Sequence, residues 1–288
     1  MSKITLFLII TGYKKTFFIT FVKKSTTMDT LSISSTQNPR IKHLIALQQR
    51  SQQRRSENRI VVEGARELQH CINSGFVIET IYYCPTLFDE KQLPANNANL
   101  VEVTPQVYDK IAYRGSTEGV IAIVEPRFLT LSDLELGDDP LIVVLEGVEK
   151  PGNIGAVLRS ADAAQATAVI VCDPLTDLYN PNLIRSSIGA IFTVPCVVCN
   201  SEECIKFLKQ NNFKILTAQL QDSVPYYNTT MRGATAIVMG TESTGLTQSW
   251  RDAATTHIRI PMRGKLDSLN VSVSAAILLF EAVRQRVV

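Results

Sequence analysis

Leu141-Ile142-Val143-Val144-Leu145-Glu146-Gly147-Val148-Glu149-Lys150-Pro151-Gly152-Asn153-Ile154-Gly155 opens with five consecutive apolar residues, stops at a carboxylate, turns through glycine and passes into a helical pattern that runs beyond Arg159. An unbroken run of branched apolar residues belongs to a strand buried on both faces, and such strands come from parallel sheets covered by helices. The glycines permit close backbone approach. Asn153 is placed to cap the helix, whose first free N–H groups then face the loop. Arg159 follows six residues later, near two turns on, so helix geometry alone does not bring it to the same mouth.

The same alternation continues downstream. Short apolar runs at Ala168 to Cys172, Phe192 to Val197, Lys214 to Ala218, Ala234 to Met239 and His257 to Ile260 read as strands separated by helices. This is a mostly parallel α/β sheet, and function in such sheets gathers in the loops at strand C-terminal ends. Upstream, Asn38 to about Glu125 reads as a smaller α/β unit. Asn38 before Pro39 is a helix cap, and strands are expected at Arg59 to Val62, Val77 to Tyr83, Leu100 to Val103 and Val120 to Val124. Pro126 to Pro140, with Gly137-Asp138-Asp139, reads as a linker.

Two further loops carry chemistry. Met239-Gly240-Thr241-Glu242-Ser243-Thr244-Gly245-Leu246 sets one carboxylate among exposed amides of a glycine turn. Ile260-Pro261-Met262-Arg263-Gly264-Lys265-Leu266-Asp267-Ser268-Leu269-Asn270-Val271-Ser272-Val273-Ser274 leads into an apolar helix, and its hydroxyls and amides can cap that helix and face a ligand. Each loop alone is compatible with an ordinary strand-turn-helix connection.

In order and spacing, Asn-Ile-Gly-Ala-Val-Leu-Arg, Val-Met-Gly-Thr-Glu-Ser-Thr-Gly-Leu and Ile-Pro-Met-Arg-Gly-Lys-Leu-Asp-Ser-Leu-Asn-Val-Ser-Val resemble the three signature motifs of the SpoU (TrmH) family of RNA ribose 2′-O-methyltransferases, across residues 141–288. The resemblance implies a SPOUT-type parallel-sheet domain at 140–288 with a C-terminal trefoil knot, one of the rare exceptions to unknotted topology. It implies S-adenosylmethionine as methyl donor and no metal. The donor would be held by Gly240, Ile260 and Leu269, and the catalytic group would be Arg159, Asn153, Glu242, Ser268 and Asn270. It also implies a homodimer with the active site at the subunit interface, so that Arg159 acts beside the partner's donor. An arginine acting literally as the base is chemically demanding, because guanidinium deprotonates only above about pH 12; a charged Arg159 that steadies phosphate and developing alkoxide is the alternative.

The unit at 32–126, followed by a linker at 127–139, resembles more loosely the small ribosomal-protein-like substrate-binding domain that precedes many such enzymes. Arg40, Lys42, Arg59 and Arg66, within a stretch that also holds Arg50, Arg54 and Arg55, would meet the phosphate backbone of ribosomal or transfer RNA. The competing reading is a non-catalytic RNA-binding protein that keeps the fold. A dinucleotide-dependent oxidoreductase is disfavoured, since no Gly-x-Gly-x-x-Gly follows an early strand.

Composition supports the local rather than the global charge argument. The 288 residues are 45% hydrophobic and 19% charged, a globular balance, with a net charge of +2. Lys3, Lys14, Lys15, Lys23 and Lys24 lie in an acid-free opening stretch; without them 24 basic residues face 27 acidic ones. Residues 1–31 are expected to be a leader or a mis-assigned start, since Met28 follows shortly after the apolar opening run. Neither apolar half of residues 4–22 reaches the roughly 20 residues of a membrane span. The six cysteines lack a regular framework and are expected as buried thiols in a cytoplasmic protein. Cys196 and Cys199 form a CxxC with Cys204 nearby, but no second pair or histidine accompanies them and the segment reads as a strand.

Overall fold

The computed structural model describes residues 31–92, 98–113, 118–241 and 243–287. Nearly all of the expected leader, and Glu242, therefore lie outside the described residues.

The first sheet is built from β1 (Leu31–Ile33), β2 (Ile60–Glu63), β3 (Ile78–Tyr83), β4 (Asn99–Val103) and β5 (Val120–Val124) in the order β1-β4-β3-β5-β2. β1, β4 and β3 are parallel, while β5 runs antiparallel to β3 and β2. Helices α1 (Pro39–Gln49), α2 (Ser51–Glu57), α3 (Ala65–Asn73) and α4 (Pro105–Ile111) flank it. Asn38 caps α1 as expected, its side chain accepting from Arg40 N at 2.9 Å.

The second sheet holds β6 (Leu141–Glu146), β7 (Ala168–Cys172), β8 (Cys196–Cys199), β9 (Lys214–Ala218), β10 (Val224–Pro225), β11 (Thr235–Met239) and β12 (Thr256–Arg259). The order is β10-β12-β9-β11-β6-β7-β8 and every pairing is parallel. All C-terminal strand ends therefore lie on one edge. Residue parity sorts the two faces. Leu141, Val143, Leu145, Val169, Val171, Ile237 and Met239 face α5 (Pro151–Ala163), α6 (Pro181–Ser187) and α10 (Val271–Val287). Ile142, Val144, Ile170, Ala236 and Val238 face α8 (Ser201–Gln210) and α9 (Gln248–Ala253). Each fully buried side chain of this kind contributes about 1.5–3 kcal/mol.

Three expectations change. The strand expected over Phe192 to Val197 divides: Ala190–Thr193 is a one-turn helix, α7, and only Cys196–Cys199 pairs as a strand. Phe192 instead meets Phe76 edge to face at 5.1 Å, joining the two sheets through one apolar core that also takes in Ile60, Leu68, Leu183 and Ile191. The segment 127–139 is a strap rather than a loose tether: Leu129 bridges Val197 at the sheet edge, and Leu131, Leu134 and Leu136 pack against the α8 face. Finally, Arg54 is not free for RNA. It is buried, pairs with Asp177 at 2.7 Å and donates to the carbonyls of Leu47 and Gln48, tying α2 to the loop before α6.

Candidate active site

Each of the three loops leaves the C-terminal edge of the parallel sheet: 147–150 after β6, 240–247 after β11 and 260–270 after β12. Single links hold them together. Gly147 has φ +62°, and a Cβ there would come 3.2 Å from Thr241 Cγ2, so the first two loops touch where the backbone must be left-handed. Glu146, buried at the end of β6, accepts from Thr247 N at 2.9 Å and from Thr247 Oγ1 at 2.7 Å. Asn270 Nδ2 donates to Asn153 Oδ1 at 3.1 Å, joining the third loop to the first helix.

The second loop is tight. Thr241 and Gly245 exchange backbone hydrogen bonds of 3.1 and 3.3 Å, and Gly240 lies so close to the returning chain that a Cβ would overlap the Gly245 carbonyl and stand 2.6 Å from Leu246 N. Here glycine is required by a backbone crossing, not by its dihedral freedom. Beside it, at the end of β9, the side-chain oxygen of Gln219 is buried and has no hydrogen-bond partner among the described residues.

Asn153 is not the cap expected from the sequence. Pro151 starts α5 with Lys150 at the cap position, which puts Asn153 in the first turn with its side chain bonded to Asn270. The cap in this site is Asn270, whose Oδ1 accepts from Ser272 N at 3.0 Å and Ser272 Oγ at 2.6 Å at the start of α10. Ser268 is exposed and donates to Asp267. Ile260 is half-buried against the core, and Leu269 is exposed near it in the chain. Arg159 stands apart: it is exposed on α5 and makes no ion pair or hydrogen bond among the described residues.

Of the expected RNA contacts, Arg40, Lys42 and Arg66 are exposed, whereas Arg59 is engaged with Glu79. The sequence reading gave no role to Glu146, Thr247 or Gln219. Glu146 stands at the end of the opening apolar run, but its partner is 101 residues away, and nothing local marks it as a clamp.

The SpoU rRNA methylase family matches residues 140–280, and the MRM3-like substrate binding domain matches residues 38–122. The chain is 35% identical over 211 residues to the 23S rRNA (guanosine-2'-O-)-methyltransferase RlmB of Vibrio vulnificus, covering 69% of this chain and 85% of that protein. A crystal structure of an RNA 2'-O ribose methyltransferase superposes with a TM-score of 0.80 at 40% identity, covering 90% of this chain and 100% of the other. The AdoMet-bound rRNA methyltransferase of Sinorhizobium meliloti does so with a TM-score of 0.81 at 29% identity, covering 88% and 97%. Similar along most of its length to these proteins and matched in both of its sheets, the chain belongs to the SpoU rRNA methylase family.

Proposed function

We propose that this protein transfers a methyl group from S-adenosylmethionine to a ribose 2′-hydroxyl in ribosomal RNA. The observation that carries the reading is the Asn270–Asn153 hydrogen bond, which places the first and third loops on one mouth beside the tight 240–245 turn. The described residues fit the donor. The Gly240 crossing gives the second loop a fixed backbone surface that a side chain would fill, and the unpaired Gln219 oxygen supplies a buried acceptor on the same edge. Gly240, Ile260 and Leu269 would hold the donor through their backbones. S-adenosylmethionine supplies the methyl group as an electrophilic sulfonium.

The protein's share of the work is positioning. In-line displacement needs the attacking oxygen, carbon and sulfur held in line, which can account for much of the acceleration. Asn153 and Asn270 fix the relation of α5 to the third loop, and Ser268, exposed on that loop, faces the substrate. Arg159, charged and unpaired, would bind the substrate phosphate and stabilise charge developing on the ribose oxygen. Arg263 and Lys265, both exposed, add positive charge on the same loop. Arg40, Lys42 and Arg66 extend an electrostatic track on the smaller sheet's side. Glu242 belongs to the same reading as the carboxylate of the second loop.

The active unit in this reading is a homodimer working in the cytoplasm. Val273, Phe280 and Val287 recur at sevenfold spacing on α10 and are all exposed, an apolar stripe fit for a second subunit. The trefoil knot is part of the same proposal, its threading running from β11 through loop 260–270 into α10, where Arg286 is pinned by the carbonyls of Asp139, Met231 and Gly233. Among the described residues no helix is long and apolar enough to cross a membrane.

Methyl incorporation from labelled donor into ribosomal RNA lacking the modification tests the reading. Arg159→Ala should bind the donor as the parent does and lose turnover. Undiminished turnover in that variant, or no incorporation by the parent protein, would overturn it.

A further inference from the structure

Cys172 ends β7 and Cys199 ends β8, and the parallel register sets them directly opposite one another. Five residues later, in the opening turns of α8, Cys204 returns to the same place. The three Sγ atoms lie within 4.8 Å of one another, and all three thiols are free. Cys172 and Cys204 are wholly buried on the α8 face, and Cys199 is partly covered. Cys196 points the other way, into the core shared with Phe192, so the pair named by the CxxC spacing is not the set that meets.

The chemistry of the cluster differs from that of isolated buried thiols. Desolvation pushes the Cys71 and Cys196 thiols up to about 12. Within the cluster Cys199 moves down, because the Cys172 and Cys204 thiols hydrogen-bond to its sulfur, while Cys172 and Cys204 themselves move up.

We propose that Cys172, Cys199 and Cys204 form a binding site for a soft d10 cation, Zn(II) or Cu(I), held through three sulfurs. A metal–sulfur distance of about 2.3 Å puts the sulfurs about 4 Å apart, within about 1 Å of the spread already present. The strand ends are fixed by backbone pairing, so the site is largely formed before the ion arrives. Among the described residues no histidine or carboxylate joins the three sulfurs in a ligand cluster, which selects thiophilic ions over magnesium or calcium. The partly open side at Cys199 leaves room for a water as fourth ligand if the ion is zinc. Binding releases the remaining thiol protons to solvent.

The site would adjoin the loop clamp without being part of it. Ser201 Oγ, between Cys199 and Cys204 in the chain, donates to Asp173 Oδ2 at 2.6 Å and accepts from Trp250 Nε1 at 3.0 Å. Trp250, the only tryptophan of the chain, therefore reports on the cluster.

The test uses the full-length, reduced protein titrated with Cd(II), which gives a sulfur-to-metal charge-transfer band, with Zn(II) and anaerobic Cu(I) as competing arms. The expected result is a single equivalent of Cd(II) per chain, a change in Trp250 fluorescence at the same equivalence point, and displacement of the band by the tighter of the two native candidates. Cys199→Ser, a change at the least buried of the three, should abolish the band while the circular dichroism of the fold is kept; Cys196→Ala should retain it. Absence of the band, persistence of the band in Cys199→Ser, or its loss in natively folded Cys196→Ala would each overturn the proposal. All of these readouts are independent of methyl transfer.

Discussion

Gly240→Ala probes the tightest point of the site. The added Cβ would meet backbone, the Gly245 carbonyl and Leu246 N, rather than a side chain that could swing aside. Restoring ordinary contact requires the returning strand of the turn to retreat by about 1 Å. Such a shift strains or breaks the two Thr241–Gly245 hydrogen bonds. Overpacking typically costs about 1–3 kcal/mol and straining the two hydrogen bonds adds about 1 kcal/mol, so the closed turn loses about 2–4 kcal/mol. If donor binding needs the closed turn, affinity falls by roughly 30- to 700-fold. The core of β11 lies beneath the turn and is untouched, so the cooperative unfolding transition should be retained. Calorimetric titration with S-adenosylmethionine or its demethylated product measures the effect. Gly152→Ala is the control, since nothing lies within 4 Å of a Cβ at that position. Parent-like affinity in Gly240→Ala would refute the assignment of this turn to the donor.

Three more substitutions test other links. Asn270→Ser keeps a competent helix cap but cannot reach Asn153, so thermal stability should hold while turnover falls about two- to tenfold, the worth of one hydrogen bond; unchanged kinetics would make the contact incidental. Asp177→Ala leaves the buried Arg54 with only carbonyl partners and should cost about 3 kcal/mol in urea unfolding, the low end for a broken buried pair; a loss under about 1 kcal/mol would show that the Leu47 and Gln48 carbonyls suffice. Burial raises the Glu67 carboxyl above its ordinary 4.5. The folded state therefore takes up the proton first as pH falls, and the cost of the charged form is full above the raised value and gone below 4.5. Glu67→Gln should raise the melting temperature at neutral pH and lose that gain in acid; a gain independent of pH would contradict the desolvation argument.

Apolar runs made the parallel sheet legible, because strands buried on both faces leave no polar alternation to misread. Phe192 to Val197 failed because a four-residue helix and a short strand look alike in a run that is mostly apolar. Caps were legible only where the partner is local. Asn38 reaches two residues ahead, but Asn153 yields its cap role to the turn begun by Pro151 and spends its side chain on Asn270, 117 residues away. Charge was legible and its use was not. Arg54 counted as one more cation in a basic stretch until Asp177, 123 residues on, neutralised it. The thiol cluster follows the same rule, since strand register selects Cys172 and turns Cys196 to the other face.

Arg159 lies on a different face of α5 from Asn153. Six residues along α5 place it about 9 Å from Asn153 along the axis and about 120° around it. Asn153 faces Asn270, so Arg159 is turned away from that contact and, in the proposed dimer, would complete the site of the other subunit. An equimolar mixture of Arg159→Ala and Gly240→Ala chains then forms mixed dimers carrying one intact mouth, with the donor loop from one chain and the arginine from the other. Random pairing makes half of the dimers mixed, with one of two sites restored, so with the donor held well below the weakened dissociation constant of Gly240→Ala, where neither variant alone turns over appreciably, about a quarter of parent activity should return. If Arg159 serves its own chain, every site in the mixture lacks either the arginine or the loop, and no activity returns.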